Sequence, residues 1–255
     1  MTVLDDVVIS AVALDRVHPL RELYRKEMDA QIVHDSWHAR GFTDLYGFGC
    51  GGELIGYAAV GGATREPRHT VKELFLLPEW RGLEIELFDR VVGLSGARTI
   101  EAQTNDRLLL RMFFDRASHW HVTHVLFADA RTTDHPAPEG VVLRQMTDAD
   151  RATVFTHTYE PIGEWGVERD GVVVATGGVM FHYNPPYGDL YMEVSAVDRR
   201  RGYGAYLVQE LKRICREQGR VPAARCRPDN LGSRRTLVAA GLLPCAHILR
   251  GELRS

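Results

Sequence analysis

The feature of this sequence that most limits its possible folds is an internal duplication. Glu73 precedes Gly82 by nine residues, and Glu193 precedes Gly202 by the same nine. In both copies an apolar stretch comes before the glycine and a stretch with helical periodicity follows it. The pattern recurs after about 120 residues, the size of one small domain and far longer than the ~20–50-residue period of a solenoid. The sequence therefore predicts two similar domains in tandem.

Turn and linker signals set the predicted boundaries of these domains. Gly51-Gly52 and Asp170-Gly171 each stand between two apolar stretches, as in a β-hairpin. The segment from Arg131 to Gly140 has no periodicity and contains two prolines, which favours a linker. We therefore expect a domain at 1–131, a linker at 132–140 and a second domain at 141–255.

Local hydrophobic patterns predict alternating strands and helices in both copies. In the first copy, strands are expected at 7–14, 44–50, 54–60, 71–77, 99–103 and 120–128, and helices at 18–40, 81–94 and 106–117. In the second copy, strands are expected at 141–145, 163–169, 172–181, 190–197 and 222–226, with one or two more across 243–253, and helices after Thr147, at 205–218 and at 232–240. The helix at 205–218 has an apolar face made of Leu207, Val208, Leu211, Ile214 and Cys215.

Composition excludes several classes of protein. The 255 residues are 45% hydrophobic and 25% charged, with a formal net charge of −3, which is typical of a soluble globular protein without a basic field for nucleic acid. No apolar run approaches the ~20 residues of a membrane span. The N-terminus has no basic region followed by an apolar core, so no signal peptide is expected.

The cysteines point to a reducing compartment. Cys50, Cys215, Cys226 and Cys245 show no paired spacing, so free thiols are the simplest interpretation. We expect a cytoplasmic protein that binds neither membrane nor nucleic acid.

The glycine-containing turn at Arg199-Arg-Arg-Gly-Tyr-Gly204 is a candidate anion site. Gly202 and Gly204 lack a Cβ and allow a ligand to approach the backbone, while the first amides of the following helix have no intrahelical partner. A solvated basic turn is the competing interpretation. A Walker loop is excluded because its Lys-Ser/Thr is missing, and a Rossmann fingerprint is excluded because Leu207 occupies the third glycine position.

The pattern Arg199-x-x-Gly202-x-Gly204 resembles the coenzyme A pyrophosphate loop of the GNAT superfamily of N-acetyltransferases, Gln/Arg-x-x-Gly-x-Gly/Ala. Further positions that resemble the family are Glu193 on the preceding strand, Asn230 and Ser233 at the start of the next helix, and Gly241 at its end. The resemblance covers about residues 141–253.

The resemblance implies an α/β (α+β) fold of two tandem GNAT-like domains, each a mixed, mostly antiparallel twisted sheet flanked by helices. It also implies that the strand before the loop diverges from its neighbour, so that the pantetheine arm of acetyl-coenzyme A fits the gap. The implied coenzyme-binding residues are Val194, Val197, Arg199, Arg200, Arg201, Gly202, Tyr203, Gly204, Ala205, Asn230 and Ser233.

The implied reaction is acetyl transfer to a primary amine by direct attack in a ternary complex. The amine must lose a proton, for which Glu193 is the candidate base. Many family members have a tyrosine that protonates the leaving thiolate where this chain has Leu237. Either Ser233 or a water would then donate this proton, or the thiolate would leave without an acid. The acceptor is expected to be a small-molecule or peptide amine. The alternatives are a non-catalytic acyl-coenzyme A-binding module and a purely structural duplicate.

The first copy carries a degraded version of the same loop. When the copies are aligned through Glu73 and Glu193, Glu79 replaces Arg199 and Glu84 replaces Gly204. A carboxylate at this place would repel a pyrophosphate. We therefore expect that the N-terminal copy does not bind coenzyme A.

Two histidine patterns are weaker candidates for chemistry. His119-x-His121-x-x-His124 has no cysteine or acidic partner at ligand spacing. His34 and His38 lie one helical turn apart but lack the glutamate of a His-Glu-x-x-His site. We expect no metal site, and we expect His34 and His38 to face solvent.

Overall fold

The computed structural model describes residues 3–29, 34–62, 64 and 66–254. The chain packs as two compact units, residues 1–124 together with 246–255 (unit 1) and residues 125–245 (unit 2). Within the described residues, no helix is both long enough and apolar enough to cross a membrane.

Unit 1 contains the elements predicted for the first copy, with ends displaced by a few residues. They are β1 (Val8–Ala11), α1 (Leu14–Met28), α2 (His34–Ala39), β2 (Thr43–Cys50), β3 (Glu53–Gly61), β4 (Thr70–Leu76), α3 (Glu84–Ser95), β5 (Thr99–Gln103), α4 (Arg107–Arg116) and the first part of β6 (Ala117–Asp129). Short 3-10 helices cover Val3–Asp6 and Pro78–Leu83. The single helix predicted at 18–40 corresponds to α1 and α2, and positions 30–33 lie outside the described residues.

Unit 2 repeats this order. It contains the second part of β6, then β7 (Val141–Gln145), α5 (Asp148–Thr153), β8 (Trp165–Arg169), β9 (Val172–Met180), β10 (Tyr187–Val194), a 3-10 turn (Ala196–Asp198), α6 (Tyr203–Glu217), β11 (Val221–Cys226), α7 (Leu231–Ala239) and the start of β12 (Leu242–Leu253). Thr147 caps α5 in a capping box with Asp150.

Each unit is built on a mixed, mostly antiparallel sheet, which confirms the predicted fold class. In unit 1 the strand order is β1-β2-β3-β4-β5-β12, and in unit 2 it is β6-β11-β10-β9-β8-β7. The parallel neighbours are β4 with β5 and β10 with β11, and the other pairs within these two orders are antiparallel. Helices connect the parallel strands, as the geometry of such crossovers requires.

Two long strands carry the chain from one unit into the other. The end of β6 pairs with β11 in unit 2, from Val125↔Cys226 to Ala128↔Ala223. The end of β12 returns to unit 1 and pairs with β5, where Leu249 joins the core. The predicted boundary at 132–140 therefore does not coincide with the division between the compact units. A linear repeat cannot reveal that the end of β12 completes the first sheet.

Helix α6 packs against the sheet of unit 2 through the apolar face that the sequence predicted. Leu207, Leu211 and Cys215 are fully buried, and Val208 and Ile214 are nearly so. Burying a side chain of the leucine size contributes about 1.5–3 kcal/mol. This packing fixes the N-terminus of α6 beside the end of β10.

Candidate active site

The site lies where β10 separates from its parallel neighbour. The pairing of β10 with β11 covers Tyr187↔Val221 to Asp189↔Ala223 and, in the described residues, ends there. The pairing of β10 with β9 continues to Val194↔Ala175. The second half of β10 therefore has free backbone groups on one edge. This divergence agrees with the expectation drawn from the family resemblance.

The turn at the end of this gap presents unpaired amides at the start of α6. Gly202 is the N-cap residue, with φ of 87°, and no side chain caps the helix. Arg200 also has a positive φ, of 65°. In the described chain, none of the backbone N–H groups of residues 200–205 donates a hydrogen bond. These donors stand at the positive end of the helix dipole, where an anion is stabilised.

Gly204 leaves room in the wall of the gap. A Cβ placed on Gly204 would lie 3.1 Å from Cγ2 of Thr236 and 3.4 Å from Cγ2 of Val194. Any side chain here would therefore extend between β10 and α7. Because the backbone of Gly204 does not have a positive φ, it is the space that requires a glycine rather than the conformation.

The loop, β10 and α7 line an open cavity of about 460 Å³. Most of the predicted site residues line it, namely Glu193, Val194, Arg199, Arg200, Gly202, Tyr203, Gly204, Ala205, Asn230 and Ser233. Val197 and Arg201 are the exceptions. Because β10 ends at Val194, Val197 falls in the 3-10 turn and is 81% exposed. The guanidinium of Arg201 lies 3.5 Å from the carboxylate of Asp198.

Sequence reasoning missed several lining residues. They are Tyr159, Glu160, Met192, Asp198, Gly232, Arg235, Thr236 and Ala239. Those on α7 recur at the spacing of one helical face, so periodicity applied to that helix would have found them. Neither Arg200 nor Arg235 forms an ion pair in the described part of the chain. Both guanidinium groups are therefore available to a ligand.

Asn230 positions the start of α7. Its Oδ1 accepts a hydrogen bond from the backbone N–H of Ser233 at 3.0 Å, as an N-cap does. The carbonyl oxygen is thereby used within the protein. The side-chain amide of Asn230 and the hydroxyl of Ser233 are the polar groups that this turn can offer to a ligand.

Leu237 belongs to the core rather than to the reactive part of the site. It is 4% exposed and packs in the apolar cluster of unit 2. Among the residues lining the cavity, the tyrosines are Tyr159, which is exposed, and Tyr203, whose hydroxyl accepts a hydrogen bond from Arg169 at 2.9 Å.

Glu193 is held by three backbone donors. Its carboxylate accepts hydrogen bonds from the N–H groups of Thr158 (3.0 Å), Tyr159 (3.1 Å) and Glu160 (3.1 Å). Burial alone would raise the pKa of Glu193, but these donors outweigh it and the pKa lies below its ordinary value. A carboxylate in this state is a weaker base than a free glutamate. The general-base role stays a prediction.

A second set of contacts fixes the same segment, residues 154–164, against β9. The hydroxyl of Thr176 accepts a hydrogen bond from the N–H of Gly163 at 3.1 Å and lies 2.7 Å from Nε2 of His157. A Cβ on Gly163 would lie 2.2 Å from the backbone of Gly177, so only glycine permits this approach. The segment that forms one wall of the cavity is therefore anchored at both β9 and β10.

The corresponding glutamate of unit 1 has different partners. Glu73 is fully buried and accepts two hydrogen bonds from Arg21, Nε to Oε2 at 3.2 Å and Nη2 to Oε1 at 2.8 Å. Nδ1 of His34 and the hydroxyl of Tyr57 lie 2.8 and 2.9 Å from its oxygens, and Nε2 of His38 lies 3.4 Å away. The prediction that His34 and His38 face solvent was wrong, because a buried carboxylate draws both rings inward.

Unit 1 also shows a divergence of parallel strands, beside a groove of about 380 Å³ that protein side chains line. The pairing of β4 with β5 is limited to Thr70↔Thr99 and Val71↔Ile100. Side chains of α1 line the groove beyond it, namely Tyr24, Glu27 and Met28. Arg81, in the degraded loop, donates to both oxygens of Glu27 at 2.6 and 2.8 Å. Its charge is therefore neutralised within the protein.

Comparison with known proteins agrees with this arrangement. Residues 120–241 match the model of the acetyltransferase (GNAT) family. Over this segment the chain resembles the GNAT family. Acetyl-coenzyme A-dependent N-acetylation is the general reaction of that family, whose members are acyltransferases. The match covers the strand divergence, the glycine loop and α7, which are the parts that form the cavity.

Solved structures extend the likeness to the whole chain. A GNAT-family acetyltransferase from Colwellia psychrerythraea superposes with a TM-score of 0.74 at 15% identity, covering 97% of this chain and 100% of that one. A GCN5-related N-acetyltransferase from Sphaerobacter thermophilus gives 0.65 at 15% identity, covering 100% and 98%. A tandem GNAT protein from the clavulanic acid biosynthesis pathway gives 0.63 at 13%, covering 98% and 99%. At these identities the likeness shows the fold alone. Among curated proteins nothing matches the sequence.

Proposed function

We propose that unit 2 is an acetyl-coenzyme A-dependent N-acetyltransferase that transfers an acetyl group to a primary amine by direct attack in a ternary complex. The observation that carries the proposal is the coincidence of a strand gap, unpaired helix-start amides and a glycine cradle in one cavity. The acceptor is a small-molecule or peptide amine.

The residues present suit the pyrophosphate of coenzyme A. The amides of 200–205 supply donors, and the guanidinium groups of Arg199, Arg200 and Arg235 supply positive charge at the same cavity. Charge-assisted hydrogen bonds to phosphate are about twice as strong as neutral ones. Gly204 keeps the space that a phosphate needs beside Thr236.

The edge of β10 suits the pantetheine arm. Its amide groups can pair with backbone N–H and C=O groups from Leu190 to Val194, which β11 leaves free. Bound in this way, acetyl-coenzyme A would supply an acetyl thioester at the carboxylate-rich part of the cavity, near Glu160 and Glu193. The protein then has to orient the amine and remove its proton.

Leu237 favours a second candidate function, that of a non-catalytic acyl-coenzyme A-binding module. The position that many family members use for an acid is filled here by a buried apolar side chain. A thiol with a pKa of about 8.5 is nevertheless an adequate leaving group without an acid, so the enzyme remains our proposal.

A thermal-shift measurement tests coenzyme binding. Acetyl-coenzyme A at 100 times its dissociation constant should stabilise the folded protein by about 2.7 kcal/mol. The variant Gly204→Glu should lose this shift, because its side chain fills the cradle and repels phosphate. Gly93→Glu, an exposed glycine of α3 with open space around it, is the matched control and should keep the shift. An absent shift in the parent protein would overturn the proposal.

Thiol release then separates the enzyme from the binding module. With acetyl-coenzyme A and a panel of primary amines, the enzyme should release one thiol for each acetylated amine. A protein that binds the coenzyme but acetylates no amine of the panel is the binding module instead.

A further inference from the structure

The carboxylate that the family resemblance singled out as the base is already engaged. Glu193 is 6% exposed and accepts hydrogen bonds from three consecutive backbone N–H groups, those of Thr158, Tyr159 and Glu160. To accept a proton from an amine, it would have to give up donors that stabilise its charged form. Its geometry is that of a residue that holds a loop in place.

The loop that Glu193 holds presents another carboxylate to the cavity. Glu160 is half-buried and lines the cavity beside Glu193. In the described residues its side chain has no hydrogen-bond donor and no ion-pair partner. An unengaged carboxylate at the wall of a cavity is free to take a proton.

The surroundings of Glu160 favour the protonated form of its carboxyl group. Burial raises the pKa of Glu160, the nearby carboxylate of Asp189 raises it further, Arg225 lowers it and Glu193 raises it. Among the described residues, the charged and titratable groups near Glu160 are Asp189, Tyr191 and Glu193 from β10 and Arg225 from β11. His182 lies 3.1 Å from Asp189, and His157 lies near Glu193. Asp189 already has Arg225 and His182 as partners, so the carboxylate left to attract an acceptor that enters as an ammonium ion is that of Glu160.

The charged residues that line the cavity lie on different elements: the arginines on the glycine loop and α7, and the two glutamates on β10 and the segment that it holds. Arg199, Arg200 and Arg235 suit phosphates, whereas Glu160 and Glu193 would repel them. If the pyrophosphate lies at the arginines, as the proposed function requires, the acyl end of the coenzyme falls at the carboxylates. Glu160 is then beside the place where the amine must lose its proton.

We propose that Glu160 is the catalytic residue that accepts this proton, and that Glu193 is a positioning residue that holds Glu160 in the cavity wall. The acceptor is an amine that arrives as its ammonium ion. This inference rests on the proposed acetyltransferase function.

The proton and electron balance of the step is complete. The ammonium group gives one proton to the carboxylate of Glu160, and the neutral nitrogen uses its lone pair to form a bond to the thioester carbon. The carbon–sulfur bond breaks and its electron pair leaves with the sulfur. The second proton of the nitrogen reaches the thiolate, and Glu160 returns its proton to solvent. No further reactant is needed.

Paired variants test the assignment. For the amine of the panel that is turned over fastest, kcat is measured against pH in Glu160→Gln, Glu193→Gln and Glu164→Gln. Glu164 is an exposed residue of the same segment and serves as the matched control. Binding of acetyl-coenzyme A is measured separately by thermal shift in each variant.

Glu160→Gln should bind the coenzyme normally and lose about a hundredfold or more in kcat near neutral pH. The rising limb of its kcat profile should move toward the pKa of the free ammonium group, about 10. Glu193→Gln should lose rate at all pH values with the rising limb in place, and Glu164→Gln should behave like the parent. A Glu160→Gln profile like the parent's, or loss of the limb in Glu193→Gln alone, would overturn the assignment.

A titration covers the case in which no amine is turned over. In protein labelled with 13C at glutamate carboxyl groups and saturated with acetyl-coenzyme A, the Glu160 signal is assigned by its absence in Glu160→Gln. A pKa above that of an ordinary glutamate, about 4.3, supports the assignment. A lower value overturns it. Absence of coenzyme binding overturns the proposed function itself, and the base assignment with it.

Discussion

Glu73 of unit 1 and Glu193 of unit 2 occupy the same place in the same kind of sheet, and their partners differ. Glu73 accepts from side chains, chiefly the guanidinium of Arg21, and is completely buried. Glu193 accepts from the backbone of a loop that lines an open cavity. The same strand carboxylate thus serves as the centre of an ionic core in one unit and as the anchor of a cavity wall in the other.

The grooves beside these glutamates differ in the same sense. In both units a parallel pair of strands separates after two or three residue pairs. In unit 1 the groove is lined by Tyr24, Glu27 and Met28 from α1, and the loop arginine is paired with Glu27. In unit 2 the corresponding space is lined by glycines and unpaired arginines. The same arrangement of diverging strands therefore does not imply the same ligand site.

The largest predicted effect that tests this comparison is a loss of stability in unit 1. Arg21→Ala should lower the free energy of unfolding by about 3–5 kcal/mol, because it leaves the charge of Glu73 buried without its main partner. Chemical denaturation measures this loss. Arg116→Ala, which removes an exposed pair with Asp89, is the control and should cost about 0–1 kcal/mol. Equal losses in the two variants would show that Glu73 does not depend on Arg21.

A smaller predicted effect is on how the stability of unit 1 depends on pH. Burial raises the pKa of Asp106 to about 7, although the N–H of Leu109 and the hydroxyl of Tyr24 donate to it. Because this pKa is above its ordinary value of about 3.9, the contribution of Asp106 to stability is full below about pH 4 and is lost as the pH rises through about 7.

The variant Asp106→Asn keeps the helix cap but cannot titrate. Melting temperatures measured at pH 5 and pH 8 should therefore differ less in Asp106→Asn than in the parent protein. Glu73 acts at lower pH, since its lowered pKa makes its contribution full above about 4.3 and lost as the pH falls below that value. An unchanged difference between pH 5 and pH 8 would contradict the role assigned to Asp106.

The smallest expected effect is on the number of coenzymes bound. Calorimetric titration should give one acetyl-coenzyme A per chain. Glu84→Gly, which copies Gly204 into unit 1, should leave that number at one, because α1 side chains still line the groove and Arg81 is still paired with Glu27. A second equivalent bound by this variant would mean that the carboxylate of Glu84 alone closes the site of unit 1.

Much of the fold could be predicted because its signals are local. The apolar face of α6 follows from a period of 3.6 residues, and all five predicted residues are buried. The hairpins around Gly51-Gly52 and Asp170-Gly171 follow from residues that accept a positive φ. The unpaired amides of 200–205 follow from a glycine turn at a helix start. These features depend on neighbours in the chain.

What only the tertiary structure decided depends on partners that are distant in the sequence. Arg21 and Glu73 are 52 residues apart, and Glu193 is 33–35 residues from the amides that it holds. The passage of β12 into the first sheet likewise depends on strand pairing across the chain. The sequence alone determined two copies of one frame and the single glycine loop with space for a phosphate. The tertiary structure decided which glutamate is neutralised, which one holds a loop, and which carboxylate is left free at the cavity. Burial and hydrogen bonding set the charge state of a carboxylate, and neither can be read from its position in the chain.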